Sequence, residues 1–327
     1  MTSKKLGLLV ILAVLVFAAL MGYGDFREMG QRLAHFPITH LAAVLALALL
    51  NYLLRFFRWA YYLRVLKISA PVAVSGLVFM SGLAMSITPG KAGELLKSYL
   101  LRDHAGVAVA NSAPVVVMER ITDVVSVVML GLVGLALLPL PVVVALLAAL
   151  IISGGALALV ASRRSVRLLS LPLLRRWKSS LEISHDGFRL LSNPRVVAVG
   201  VALGVVAWFC EGLALWVILR GMEADLSVGR AVSIYAAATL VGAVSAMPGG
   251  LVGTEGSMVA LLQNSAIARG PASAATLLVR LVTLWFAVAI GLLALIWLNR
   301  IRRSRLDPVS VDPESPALPS HSQAQSP

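Results

Sequence analysis

The sequence predicts an all-α polytopic membrane protein. Of its 327 residues, 59% are hydrophobic and only 13% are charged, and the mean hydropathy is +0.90, which lies far outside the range of water-soluble proteins. Several apolar runs approach or exceed the roughly 20 residues that a helix needs to cross the hydrocarbon core, so a barrel of short alternating strands is excluded. We expect about six full transmembrane helices and two interrupted apolar segments, roughly eight segments in all.

The full-length apolar segments follow one another along the chain. The first comes after two lysines and is interpreted as an uncleaved helix, because no small-residue cleavage site follows it. Two further apolar stretches, around Pro89 and Pro248, are interrupted by Pro-Gly. The six predicted spans are Leu6 to Met21, Thr39 to Leu54, Ala113 to Leu138, Pro141 to Ala161, Val196 to Leu219 and Ala274 to Leu298.

Basic residues predict the orientation. They cluster near the N-terminus, after the second span, at eight sites from Arg163 to Arg195, and from Arg300 to Arg305. The positive-inside rule assigns these regions to the cytoplasm, so both termini are expected inside an inner (plasma) membrane. The segment from Pro71 to His104 then begins and ends inside, and the one from Arg230 to Gly270 begins and ends outside. Each is predicted to be a hairpin, and their short arms favour re-entrant hairpins.

The chain is expected to contain one membrane domain and a tail. Residues 1-305 form the integral membrane domain, with halves at about 38-161 and 196-298 joined by a basic cytoplasmic loop at 162-195. Residues 306-327 contain few large apolar side chains and are predicted to be a disordered cytoplasmic tail.

Marker residues occur in the same order in both halves. They are Asn51, Pro89-Gly90, Glu94 and Arg120 in the first half, and Glu211, Pro248-Gly249, Glu255 and Arg280 in the second. The gaps are 38, 5 and 26 residues against 37, 7 and 25. With opposite insertion, this spacing predicts an inverted-topology repeat whose broken segments meet near the midplane and form a substrate site. The alternative is that both breaks are plain turns whose glycines permit close packing.

Charged residues inside apolar segments are the candidates for function. An intramembrane charge costs roughly 2.5 to 3.5 kcal/mol on insertion scales, so each needs a partner or a wet cavity. In "VVVMERITDVVSVV", Glu119 and Asp123 lie one turn apart, and Arg120 can reach either. Arg280 has no acid nearby in sequence, and Glu255 is its predicted partner by analogy with the first half. A structural latch is the alternative role for all of these charges.

Other motifs point to the membrane surface or to no site. "NYLLRFFRWAYYLRVL" is typical of an interfacial aromatic belt, with Arg55 and Arg58 as anchors that reach toward the interface; direct headgroup contact is the alternative. The single cysteine, Cys210, and five scattered histidines predict no metal site and no cofactor. The chain has a net charge of +13, but its basic residues flank apolar helices instead of forming a soluble basic face, so no nucleic-acid partner is expected.

The most specific sequence stretches resemble a known family. "SITPGKAGELLKSYLLR", "ERITDV" and "MPGGLVGTEG" are similar to the lysylphosphatidylglycerol synthase transmembrane region, a flippase-like integral membrane family, over about residues 5 to 300. That resemblance implies translocation of a lipid without the soluble synthase domain of the aminoacyl-lipid synthases, so it carries over no synthase activity. The family positions present here are Pro89, Gly90, Lys91, Gly93, Glu94, Lys97, Glu119, Arg120, Asp123, Pro248, Gly249, Gly250, Gly253, Thr254 and Glu255.

These observations predict a lipid translocase. A phospholipid or polyprenyl-phosphate-linked lipid with an anionic or zwitterionic headgroup would pass through a polar midplane cavity. Lys91, Lys97 and Arg120 would attract its phosphate, and Glu94 and Glu255 would gate. The charge markers Arg280 and Glu211 and the hydroxyl of Thr254 complete the predicted site. The alternatives are a scaffold or accessory subunit of a lipid or glycolipid synthase, and an intramembrane glycosyl or phosphoryl transferase that uses Asp123 and Glu119.

Overall fold

The computed structural model describes residues 26–88, 93–133, 140–161, 178–245 and 247–306, and within these ranges every regular element is a helix. A 3₁₀ turn follows α3 at Ala84–Ile87, another precedes α10 at Pro248–Gly250, and a π-helical turn at Leu281–Trp285 joins the last two helices. The helices are α1 (Phe26–Ala34), α2 (Ile38–Val65), α3 (Val72–Leu83), α4 (Leu96–Ala105), α5 (Val109–Leu132), α6 (Leu140–Ala161), α7 (Lys178–Leu191), α8 (Pro194–Gly221), α9 (Val228–Val244), α10 (Gly253–Gln263), α11 (Arg269–Arg280) and α12 (Phe286–Leu306).

Three continuous helical stretches are long and apolar enough to cross a membrane. They are Ile38–Val65, Pro194–Gly221 and Arg269–Ile301, and each contains one of the predicted spans. Helix α5 has 24 residues but carries three charged side chains in its middle. The predicted span from Leu6 to Met21 lies outside the described residues.

Side-chain burial differs from that of a water-soluble protein in its buried charges and exposed aliphatic residues. Arg58 and Glu119 are fully buried, whereas Ile151 and Leu293 are about two-thirds or more exposed. A bundle surrounded by hydrocarbon gains nothing from hiding aliphatic side chains but must enclose its charges. The chain is therefore built as a multi-pass integral membrane protein.

The two longest α-helices, α2 and α8, have 28 residues each and pack against one another at the centre of the bundle. Small residues on α8 allow the close approach, because a Cβ at Gly200 would overlap the hydroxyl of Tyr62, and one at Gly204 would overlap Ser126. These two glycines are thus used for helix packing within the chain.

Both Pro-Gly breaks lie next to closely packed backbone. In the first, the Gly93 amide donates to Thr88 Oγ1 at 2.9 Å, and an added Cβ at Gly93 would lie 2.7 Å from the Thr88 methyl carbon. In the second, Gly249 and Gly250 have φ near +63° and +67°, and Val252 has φ +70°, which is a strained conformation for a β-branched residue. A Cβ at Gly249 would lie 3.5 Å from the Ile87 side chain, so the two breaks meet inside the bundle.

Candidate functional site

A cavity of about 380 Å³ lies where the two breaks meet. Its wall is formed by α2, α5, α8, α9 and α12, with Ala149 of α6 at one side. Ser86 and Thr88 border it from the first break, and Gly249, Gly250 and Thr254 border it from the second. The arrangement therefore brings segments that are about 160 residues apart in sequence to one chamber.

Three arginines line the cavity, namely Arg55, Arg120 and Arg280, together with two carboxylates, Asp123 and Glu211. The arginines come from three different helices, and the guanidinium groups of Arg55 and Arg120 both lie near Asp123 Oδ2, at 3.6 and 3.1 Å. Guanidinium forks match the oxygen geometry of phosphate better than ammonium groups do. The chamber therefore has the donors that a phosphate group needs.

A network of alternating charges stands behind the first break. Lys97 Nζ lies 2.5 Å from Glu119 Oε2 and 3.4 Å from Glu94 Oε2, and it also lies over the rings of Trp59 and Phe79 at 5.0 and 5.5 Å. Lys97 is 2% exposed and does not border the cavity. The expectation that Lys97 attracts the substrate phosphate is wrong, because two carboxylates and two aromatic rings already enclose its charge.

Arg120 connects this network to the cavity. Its Nη2 lies 2.8 Å from Glu94 Oε2 and 3.1 Å from Asp123 Oδ2. The predicted contact of Arg120 with Asp123 is therefore present, and so is the Glu94 pair on which the analogy for Arg280 and Glu255 was based. Its side chain keeps 24% of its surface exposed, whereas those of Glu94 and Asp123 keep 2% and 6%. Arg120 is thus a compensated cation that can still reach a ligand in the chamber.

Arg55 and Arg58 do not lie at a membrane interface. Arg58 Nη2 donates to Asp123 Oδ1 at 2.6 Å and is fully buried, and Arg55 Nη2 lies 3.6 Å from Asp123 Oδ2. Trp59 and Tyr62 of the supposed aromatic belt are also fully buried. The anchor interpretation is wrong because both side chains lie on the buried face of α2, next to a carboxylate on α5.

The second break contains one ion pair. Arg280 Nε donates to Glu255 Oε1 at 2.6 Å, and Arg280 Nη2 donates to the carbonyl oxygen of Gly249 at 2.6 Å. This is the pairing expected from the sequence. Glu255 is 1% exposed and stands behind Arg280 rather than in the cavity wall. Arg280 therefore fixes the backbone of the break and presents one face of its guanidinium to the chamber.

Glu211 also lines the cavity and has partners that the sequence analysis missed. The Tyr235 hydroxyl donates to Glu211 Oε2 at 2.6 Å and lies 3.4 Å from Thr283 Oγ1, and the Tyr52 hydroxyl donates to the Thr283 carbonyl at 3.0 Å. Trp208, one turn before Glu211, donates to Asp123 at 3.1 Å. Tyr235 is the lone aromatic residue among small side chains in α9, and that isolation was the available signal.

The remaining predicted positions divide into two groups. Gly253 and Thr254 support the second break, where a Cβ at Gly253 would lie 2.8 Å from Ser245 Oγ and where Thr254 packs directly on Gly242. Pro248 begins the 3₁₀ turn. Pro89, Gly90 and Lys91 lie outside the described residues, as do residues 162-177 of the basic loop.

Comparison with known proteins agrees with this architecture. The chain is 24% identical over 325 residues to a UPF0104 membrane protein of Methanothermobacter thermautotrophicus, covering 90% of this chain and 95% of that protein. A second UPF0104 membrane protein of the same organism is 29% identical over 103 residues, which are 32% of this chain and 31% of that protein. The family model of the lysylphosphatidylglycerol synthase TM region matches residues 6–291, and the chain is a member of that family.

Proposed function

We propose that this membrane protein is a lipid translocase that passes a phosphate-bearing headgroup through the cavity while the acyl chains stay in the bilayer. The observation that carries the proposal is the cavity lined by three arginines at the junction of the two breaks. The proposal includes an inner-membrane location, cytoplasmic termini and translocation without covalent chemistry.

The cavity wall combines two kinds of side chain. Besides the arginines it is lined by aliphatic side chains, including Val127, Leu240 and Leu284. At its edge stands Val244, whose side chain is 71% exposed on a surface that faces hydrocarbon in a membrane-embedded bundle. A polar headgroup among guanidinium groups and acyl chains along the aliphatic side chains would satisfy both kinds, whereas a small soluble anion would leave the aliphatic side chains unused.

The packing of the two halves supports an inverted repeat. Helices α2 and α8 both have 28 residues, and they contact each other; the 3₁₀ turns of the two breaks also contact each other. The first hairpin helix, α3, packs on α12 of the second half, and the corresponding helix α9 packs on α5 of the first half. Such reciprocal contacts are what a pseudo-two-fold axis through the cavity would produce, and repeats of this kind permit alternating access around a fixed site.

The rival functions fit the contacts less well. A transferase that used Glu119 and Asp123 as acid and base would need accessible carboxyl groups, but Lys97 holds Glu119, and Arg58 and Trp208 hold Asp123. The buried Lys97 network does favour a latch role for that part of the chain. A scaffold with such a latch would have no need of arginines that face a chamber.

Reconstitution tests the proposal. Purified protein in vesicles of phosphatidylcholine with a trace of fluorescent phosphatidylglycerol should expose the inner-leaflet probe to dithionite at a rate well above that of protein-free vesicles. The double variant Arg280→Gln/Glu255→Gln should lose at least tenfold of that rate. The matched double variant Lys97→Met/Glu119→Gln, which neutralises a pair outside the cavity wall, should retain most of it.

Two outcomes of this assay would contradict the proposal. If neither the wild-type protein nor the control variant accelerates exchange in any phospholipid, translocation is refuted. If both double variants lose activity equally while folding normally, the cavity is not the pathway.

Single-cysteine labelling at His104, Lys178, Asp225 and Gln263 in a Cys210→Ala background tests the topology: the first two should react from inside and the last two from outside. Labelling of position 104 or 263 from the other side would reject the opposed hairpins.

A further inference from the structure

Three guanidinium groups gather around Asp123 and share it unequally. Arg58 Nη2 donates to Asp123 Oδ1 at 2.6 Å, and Arg120 Nη2 lies 3.1 Å from Oδ2. The Trp208 indole also donates to Oδ1, at 3.1 Å. Arg55 Nη2 lies 3.6 Å from Oδ2, which is too far for a hydrogen bond. Asp123 therefore has three closer partners than Arg55.

Arg55 itself donates no hydrogen bond to any residue that the structure describes. Its side chain is 5% exposed, its Nε is enclosed without an acceptor, and Asp123 is the one described carboxylate within 4 Å of its guanidinium group. Its Cζ lies 5.9 Å from the centre of the Trp208 ring, which is the outer limit of a cation–π contact. A buried guanidinium group has five N–H donors, and leaving them without acceptors destabilises the folded chain.

The other two arginines of the cavity already donate within the protein or contact acids closely. Arg280 donates to Glu255 and to the Gly249 carbonyl, both at 2.6 Å. Arg120 lies 2.8 Å from Glu94. A ligand must share these two guanidinium groups with their protein partners. At Arg55 a ligand displaces no hydrogen bond with a described residue.

We propose that Arg55 is the residue that binds the phosphoryl group of the lipid, through hydrogen bonds from its guanidinium fork to the two non-bridging oxygens. Such bidentate pairing is the geometry that arginine offers to phosphate. This inference rests on the proposed function and assigns its phosphate contact to one of the three arginines. Arg120 and Arg280 hold the wall through their protein partners and add positive charge. No covalent bond is made or broken.

A purely structural role for Arg55 predicts the opposite effect on stability. If Arg55 served to hold helices together, its removal would destabilise the protein. If it waits for a ligand, it is a buried charge that the lipid-free protein keeps at a cost, and its removal should leave the lipid-free protein at least as stable. The same substitution should then abolish the stabilisation that a bound lipid provides.

Thermal melts of detergent-solubilised full-length protein without added lipid separate these roles. Arg55→Gln should melt at or above the temperature of the wild type. The matched variant Arg58→Gln, three residues further along the same helix, should melt well below it, because Arg58 is fully buried and provides the 2.6 Å partner of Asp123.

Calorimetric titration with dihexanoyl phosphatidylglycerol measures the phosphate contact. Arg55→Gln should bind this lipid at least tenfold more weakly than the wild type. Arg55→Lys, which keeps the charge but loses the fork, should recover only part of that loss. Arg220→Gln, which removes an arginine 53% exposed at the end of α8, should bind like the wild type.

Two further probes separate the lipid from its parts. Dihexanoylglycerol has the same acyl chains without phosphate, so the wild type and Arg55→Gln should bind it equally weakly. Glycerol phosphate has the phosphate without acyl chains, and the wild type should bind it at least tenfold more weakly than the lipid.

Several outcomes would overturn the inference. If Arg55→Gln melts well below the wild type or fails to fold, Arg55 is structural. If that variant binds phosphatidylglycerol as tightly as the wild type, the phosphate lies at Arg120 or Arg280, and the proposed function stands without this assignment. If the wild type does not bind phosphatidylglycerol, or binds it no better than glycerol phosphate, the lipid class is wrong, and the inference falls with the proposed function.

Discussion

The pair formed by Glu255 and Arg280 permits a quantitative test of the second break. Both side chains are buried, with Glu255 1% and Arg280 7% exposed, and Arg280 Nε lies 2.6 Å from Glu255 Oε1. Removal of one partner from such a pair leaves an uncompensated buried charge and typically costs about 3–5 kcal/mol, whereas replacement of both partners is often close to neutral. The two single variants should therefore be unstable and the double variant should recover.

The structure also predicts which single variant is worse. Arg280→Gln leaves the more deeply buried Glu255 carboxylate without its cationic partner. It also removes the donor to the Gly249 carbonyl, and an unpaired buried acceptor costs about 1–3 kcal/mol of further stability. Glu255→Gln leaves Arg280 bonded to Gly249 and in contact with the cavity, where water can solvate it. We expect the order wild type, double variant, Glu255→Gln, Arg280→Gln from most to least stable.

Thermal melts of detergent-solubilised protein, followed by the loss of monodisperse material, measure this order. The coupling energy of the cycle should be favourable by about 1–3 kcal/mol, as found for contacting residues. The pair does not hold α10 against α11 if Glu255→Gln has the same melting temperature as the wild type. The same conclusion follows if the double variant loses as much stability as the two single variants together. The account of the second break would then be refuted.

Two further predictions concern packing and the Lys97 network. Gly291→Ala should destabilise the bundle by about 1–3 kcal/mol in the same melts, because its Cβ would overlap the backbone nitrogen of Ala84, whereas Gly256→Ala, with no atom within 4 Å, should be neutral or slightly stabilising. Lys97→Met should lower the yield of monodisperse protein severely, because it leaves the fully buried Glu119 without its ammonium partner, and the added change Glu119→Gln should restore it. Equal melts for the two alanine variants, or no rescue of yield, would contradict these accounts.

The charges divide unequally between the two halves. Among the described residues, the first half carries a network that links Lys97 to Asp123 through Glu94 and Arg120, and the second half holds the Glu255–Arg280 pair and the hydrogen bond of Tyr235 to Glu211. A densely compensated network resists change, since each member has two or more partners.

Composition and charge placement determined much of this protein from the sequence alone. A chain so apolar must form helices in a membrane, because only helices satisfy the backbone there without neighbouring strands. Lone charges within apolar segments must find partners, which is why Arg280 could be paired with Glu255, and Arg120 with Asp123, before any contact was seen. Spacing of the Pro-Gly breaks indicated where the backbone would be irregular.

Only the tertiary structure decided which faces of the helices turn inward. In sequence, Arg55 and Arg58 look like surface anchors because an aromatic and basic stretch at a helix end is typical of an interface; in the fold Asp123 draws them into the core. Lys97 and Arg120 have similar sequence surroundings, yet one is sealed among acids and rings and the other reaches the cavity. Local pattern specifies that a charge needs a partner, but the identity of the partner depends on helix packing across residues that are far apart in the chain.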